Sequence, residues 1–185
     1  MMQRTIPYPL ELTTERLIIR SPKESDAAAM REAIIESHEA LLPWMPWARE
    51  LPSADESVEN CRKAMAEFEA GHDFRLHLFA RETGAFVGAS GFHRIDWSVP
   101  KAEIGYWVRS SRSGEGLITE AVREITRYLI EDAGMLRVEI RMDARNAKSK
   151  AIPERLGFEF EGTLRNERRE VDGVLSDTCV FAVIP

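Results

Sequence analysis

The chain has 185 residues, 44% hydrophobic and 30% charged, with 25 Lys and Arg against 31 Asp and Glu for a formal net charge of -6. That length fits one domain spanning residues 1–185 and buries enough surface to need no disulfide or metal staple. The acidic balance argues against a general nucleic-acid binder, which needs a basic face, and leaves room for a cationic partner.

Two cysteines, Cys61 and Cys179, exclude a disulfide framework and a four-Cys zinc site. Reduced, partly buried cysteines fit a cytoplasmic protein. No apolar run approaches the ~20 residues of a membrane span. Residues 1–9 carry no apolar signal-peptide core. Secretion and membrane insertion are not expected.

In chain order, Leu12 to Arg20 reads as a first strand, broken by Ser21-Pro22. Ser25 or Asp26 can cap a helix whose apolar face is Ala29, Met30, Ala33, Ile34 and Ser37. Two prolines keep Leu42-Pro43-Trp44-Met45-Pro46-Trp47 from being regular helix. Ser53 opens a second helix through Val58, Cys61, Met65 and Phe68, stopped at Gly71. Phe74, Leu76, Leu78 and Ala80 alternate with Arg75, His77, Phe79 and Arg81 as a strand. A partner strand runs from Phe86 to Phe92, and Ala102 to Val108 reads as a central strand. Leu117 to Ile130 carries a helical stripe ending at Gly134, and Leu136 to Asp143 is a strand. A short helix covers Ala147 to Leu156, and Asp172-Gly173 turns a closing hairpin between Phe158–Val171 and Val174–Val183. Antiparallel strands next to a strand-helix-strand unit imply an α+β (mixed α/β) domain, its sheet covered by helices on both faces.

The stretch richest in chemistry runs from Glu103 through Gly105-Tyr106-Trp107-Val108 to Ser113-Gly114-Glu115-Gly116 and the helix at Leu117. A strand entering a Gly-x-Gly turn that opens a helix presents unpaired backbone N–H groups. Those groups and the helix dipole suit a phosphate or pyrophosphate. A dinucleotide fingerprint needs a third glycine where Thr119 stands, and no Gly-Lys-Ser/Thr closes a P-loop. The four histidines, His38, His72, His77 and His93, form no His-Glu-x-x-His pattern, so no metal is expected.

At these residues the chain resembles the GNAT superfamily of acyl-coenzyme A dependent N-acetyltransferases, closest to the Rim-type ribosomal-protein N-terminal acetyltransferases. Four segments from Leu12 to Ile184 carry the resemblance: Glu15–Arg20, Leu41–Trp47, Ala102–Ala121 and Asn146–Phe158. Two departures stand out. Ser113 occupies the position where the family loop begins with Gln or Arg, and Glu115 occupies one where many members carry Lys or Arg. A carboxylate beside a pyrophosphate is repulsive unless it is offset, and Arg109 and Arg112 are the nearby cations.

The resemblance implies a GNAT-like fold with a mostly antiparallel central sheet and direct acetyl transfer from acetyl-CoA to a primary amine. The acceptor would be the N-terminus of a protein such as a ribosomal protein; the alternatives are a small amine (antibiotic or polyamine), or a coenzyme-binding module without turnover. It implies Glu103 as general base, with Glu167 and Glu170 as rivals. It implies Ser149 as proton donor to the departing thiolate, against a plain helix-capping role. Coenzyme contacts fall on Trp107, Val108, Arg109, Ser113, Gly114, Glu115, Gly116, Leu117, Ile118, Thr119 and Asn146, the last of which can equally be an N-cap. Trp44 and Trp47 line the acceptor pocket or pack their loop onto the core, and His93 lines the pocket. Tyr106 and Trp107 alternate across the strand, one toward the coenzyme side. A homodimer is also implied.

Overall fold

The structure, a computed structural model, describes residues 6–169 and 173–185. Glu170 and the Asp172 of the closing turn lie outside the described residues. Eight strands form one sheet: β1 (Glu11–Thr13), β2 (Leu17–Arg20), β3 (Phe74–Ala80), β4 (Phe86–Asp96), β5 (Lys101–Val108), β6 (Arg137–Asp143), β7 (Glu159–Arg169) and β8 (Leu175–Val183). Their order is β1-β2-β3-β4-β5-β6-β8-β7, and β5–β6 is its parallel pair. Helices α1 (Ala27–Leu41) and α2 (Ala54–Glu69) precede β3; α3 (Leu117–Arg127) and α4 (Ala147–Leu156) flank β6 in the chain.

The main core lies under α3 and α4, where Leu17, Leu76, Ile104, Ile125, Leu129, Ile140 and Phe181 are buried together. Each such side chain contributes about 1.5–3 kcal/mol by leaving water. A second cluster, under α1 and α2, gathers Met30, Ala33, Ile34, Cys61 and Phe86. Strand alternation therefore sorts β5: Ile104, Tyr106 and Val108 belong to the α3/α4 face, and Trp107 to the α1/α2 face.

Most element boundaries follow from local chemistry. Ser53 Oγ accepts from Glu56 N–H, and the Glu56 carboxylate accepts from Ser53 N–H, so a capping box starts α2. Gly157 ends α4 in the left-handed region (φ 77).

Two local expectations are corrected. The segment Leu12–Arg20 is a hairpin, because Thr14 N–H donates to Leu17 O and Leu17 N–H to Thr14 Oγ1, folding a turn between β1 and β2. Asp26 stands before α1 without capping it; its carboxylate instead accepts from Lys23 N–H, Arg20 and His77. His77 is wholly buried, because α1 and α2 cover that side of β3.

Candidate active site

The parallel pair β5–β6 is hydrogen-bonded over a short length. Lys101, Ala102 and Glu103 pair with Arg137, Val138 and Glu139, and the pairing stops there. β4 continues along the other edge of β5 to Val108, and β8 continues along β6 to Asp143. The two strands thus diverge, and the inner backbone edge of residues 104–108 borders a wedge-shaped gap. Unpaired strand edges are hydrogen-bonding templates. This one suits an extended chain carrying its own amides.

At the wide end of the gap the chain enters the Gly-x-Gly loop. Gly114 (φ 86) and Gly116 (φ 77) both take the left-handed conformation that favours glycine. Glu120 N–H is the first amide of α3 with an intrahelical acceptor, Gly116 O. The amides of Gly116, Leu117, Ile118 and Thr119 consequently have no intrahelical acceptor and can meet an anion.

The loop's charged side chains are largely committed to one another. Arg112 makes a bidentate pair with Glu115 at 2.8 and 2.9 Å, so the Glu115 charge is offset. Arg109 is drawn away to α1, where it binds Glu32 and Glu36. Its guanidinium locks β5 to α1 and is not a loop cation. Ser113 N–H donates to Ser110 O and closes the preceding turn.

Arg16 was not singled out from the sequence. It donates to Glu115 O at 2.9 Å and to the Glu120 carboxylate at 2.6 Å, and its guanidinium lies beside Gly116. Arg16 therefore ties the β1–β2 hairpin to the start of α3. Its position in the sequence, about a hundred residues from the loop, carries no signal of this contact.

On the α1/α2 face, at the closed end of the gap, Glu103 is buried. Its Oε1 lies 3.3 Å from His93 Nε2, and its Oε2 accepts from Arg94 at 3.0 Å. Burial raises the carboxyl's pKa, but the hydrogen bond to His93 and the charges of His93, Arg94 and Arg141 outweigh it and hold Glu103 below the usual carboxylate range. A register shift between His93 and Asp96, with Arg94 in the left-handed region (φ 52), lets two successive residues reach one carboxylate. Arg141 in turn donates to Glu167 at 2.9 Å. The rival carboxylate Glu167 is thus linked to the Glu103 neighbourhood through a cation, while exposed on β7.

The opposite face of the gap carries Ser149. Asn146 Oδ1 accepts from Ser149 N–H at 3.0 Å, so Asn146 is the N-cap of α4. Tyr106 Oη donates to Ser149 O at 3.0 Å and accepts from Ser149 Oγ at 3.2 Å. Burial pushes the Tyr106 phenol up to about 12, so it stays protonated. Tyr106 is thereby the member of the Tyr106–Trp107 pair on the Ser149 side. Trp107 instead packs against Phe86 and Trp47, which places its indole in the α1/α2 layer.

Trp47 is 48% exposed and meets Trp107 in a tilted contact, ring centroids 5.9 Å apart, on the same face of β5 as Glu103. It borders a shallow groove lined by Glu50, Glu56 and Glu59, with Lys63 as its single cation. Trp44 is half-buried in the turn after α1, where its N–H donates to Leu41 O. Among the described residues no group of three or more His, Cys, Asp and Glu side chains is placed to hold a metal ion. No helix among them is long and apolar enough to cross a membrane.

Comparison with known proteins agrees with this geometry. Residues 16–159 match the acetyltransferase (GNAT) domain family. The chain is 32% identical to YdaF of Bacillus subtilis (strain 168) over 174 residues, 92% of each chain. It is 29% identical over 156 residues, 83% of this chain and 80% of the other, to the [ribosomal protein uS5]-alanine N-acetyltransferase of Escherichia coli (strain K12). In shape it matches RimL, a ribosomal L7/L12 alpha-N-protein acetyltransferase solved with coenzyme A, at TM-score 0.87 and 20% identity, over 95% of this chain and 98% of that one. It also matches the microcin C7 self-immunity acetyltransferase MccE, solved with acetyl-CoA and AMP, at TM-score 0.86 and 22% identity, over 93% and 94%. The two solved structures establish the fold, and the family match covers most of the chain. The chain belongs to the GNAT acetyltransferase family and is an N-acetyltransferase.

Proposed function

We propose that this enzyme, working as one domain, transfers the acetyl group of acetyl-CoA to the N-terminal amine of a protein such as a ribosomal protein, by direct attack in a ternary complex. The observation that carries the reading is the gap itself. The Glu103 cluster lies on one face of the sheet and the Tyr106–Ser149 pair on the other, and the space between β5 and β6 joins them. A thioester lying in that gap has a proton acceptor on the amine side and hydroxyl donors on the sulfur side.

The residues present fit coenzyme A. The free amides of residues 116–119 suit its pyrophosphate, with Arg16 alongside, and the inner edge of β5 suits its amide-bearing arm. Coenzyme A supplies an activated acetyl group and a thiol leaving group of pKa ~8.5. In this reading Ser149 returns a proton to that sulfur. The amine side, around Glu103 and His93, removes the acceptor's proton before attack. Trp47, Trp107 and the acidic groove beside Trp47 frame the acceptor's approach and favour a cation.

A homodimer in the cytoplasm is part of the same reading. The outermost strand, β7, is exposed along most of its length, and both cysteines are free. The function is tested by following thiol release from acetyl-CoA with a panel of N-terminal peptides, polyamines and aminoglycosides. Release confined to free peptide N-termini is expected. Release confined to small amines contradicts the acceptor assignment.

A further inference from the structure

We propose that His93, oriented by Glu103, is the group that takes the proton from the acceptor amine. The proposal deepens the acetyl-transfer reading and rests on it. Four observations carry it.

First, both carboxylate oxygens of Glu103 are already engaged, Oε1 with His93 and Oε2 with Arg94, and the side chain is only 11% exposed. An amine has poor access to either lone-pair set. His93 is 37% exposed, the more open member of the pair.

Second, an ionised carboxylate can only accept a hydrogen bond. The ring nitrogen facing Glu103 is Nε2, so Nε2 carries the proton and Nδ1 keeps a lone pair. This is the arrangement by which a carboxylate fixes an imidazole's tautomer and stabilises the imidazolium that forms.

Third, the backbone is built around the ring. Gly105 lies opposite Gly91 on β5, two residues from Glu103, and a Cβ there would sit 3.1 Å from His93 Cε1 and 3.9 Å from Nδ1. The absence of a side chain at Gly105 leaves room for the Cε1–Nδ1 edge of the ring over the β5 backbone.

Fourth, the bulge after His93, with Arg94 at φ 52, is what turns His93 and Arg94 onto one carboxylate. Left-handed conformations of ordinary residues are costly and gather at functional sites. The charged groups facing this pair are Arg94 on β4 and Arg141 on β6; both favour the ionised carboxylate.

The step balances as follows. An ammonium proton of the acceptor passes to His93 Nδ1. The freed lone pair forms the C–N bond at the thioester carbonyl, and the C–S bond breaks. The thiolate takes a proton from Ser149 Oγ, which recovers one from solvent. The nitrogen's second proton leaves as the tetrahedral intermediate collapses and offsets the one the thiolate takes; His93 returns its proton to water, so each turnover releases one amide, one thiol and one proton.

The test is the pH dependence of kcat at saturating amine for the wild type, His93→Gln, His93→Ala and Glu103→Gln, with coenzyme A binding measured in parallel as a check on folding. The expected result is an acid limb that His93→Gln removes, with kcat lowered across the profile in Glu103→Gln. His93→Ala is expected to lose about 10²–10⁴-fold in kcat, and added imidazole to restore at least part of it. Retention of the wild-type acid limb in His93→Gln, or kcat within about threefold of wild type, overturns the proposal whatever Glu103→Gln does. Failure of the wild type to release thiol with any amine overturns the acetyl-transfer reading instead, so the two failures are distinguishable.

Discussion

Tyr106 and Ser149 are joined twice: the phenol donates to the Ser149 carbonyl at 3.0 Å and accepts from the Ser149 hydroxyl at 3.2 Å. The bridge joins β5 to α4 and sets where the hydroxyl points. Ser149→Ala is expected to lower kcat by about 10–100-fold with little change in coenzyme A affinity. Tyr106→Phe should have a smaller effect of the same kind. The double variant should be no worse than Ser149→Ala, because Tyr106 acts through Ser149. A thioester with a more acidic thiol should shrink all three losses. Steady-state kinetics on the two donors decides it; additive losses contradict the coupling.

Gly114 sits at φ 86 with open space where a side chain would go. Gly114→Ala therefore meets backbone strain, about 1–2 kcal/mol, and no clash. The loop should shift to relieve it, costing about tenfold in coenzyme A affinity at about 1.4 kcal/mol per decade. Titration calorimetry measures this. Unchanged affinity would show that the loop amides do not grip the pyrophosphate.

Arg16→Ala removes the clamp on Glu115 O and Glu120. It is expected to raise the KM for acetyl-CoA about tenfold to thirtyfold, at the ~1.5–2 kcal/mol of the lower range for a hydrogen bond to a charged group, while leaving kcat nearly unchanged. A fall in kcat with constant KM would contradict the assignment to coenzyme binding.

The Asp26–His77 pair predicts acid lability. Burial lowers the His77 pKa and keeps the ring neutral. For Asp26, burial opposes ionisation, but hydrogen bonds from His77, Arg20 and Lys23 outweigh it and hold the carboxyl far down. Both groups bind protons more readily in the unfolded chain. Stability is therefore full above the unfolded imidazole pKa of ~6.5 and falls as pH drops below it, with a further loss below ~3.9 from Asp26. Thermal melts from pH 7.5 to 5 should show a falling Tm, and His77→Gln should flatten that slope even if it lowers Tm at pH 7.5. Parallel slopes contradict the account.

Parts of this site can be read directly from residue order. The Ser53–Glu56 capping box, the Gly114–Gly116 loop and the Asn146 cap are local, so their chemistry shows in neighbouring residues. What escapes local reading depends on distant contacts. The commitment of Arg109 to Glu32 and Glu36 requires α1 to cross β5. The burial of His77 requires α1 and α2 to close over it. The divergence of β5 from β6 is a matter of register between strands joined through α3. The His93–Glu103 contact needs the bulge at Arg94, and an arginine at φ 52 leaves no compositional trace.

The central claim is acetyl transfer to a primary amine. Its most direct test is thiol release from acetyl-CoA in the presence of a peptide with a free N-terminus, compared with the same peptide blocked there and at every lysine. The account predicts release with the free peptide and a mass gain of one acetyl group on its terminal amine, with the blocked peptide at background. Background release with both peptides and with every other amine, or equal release with the blocked peptide, would contradict it.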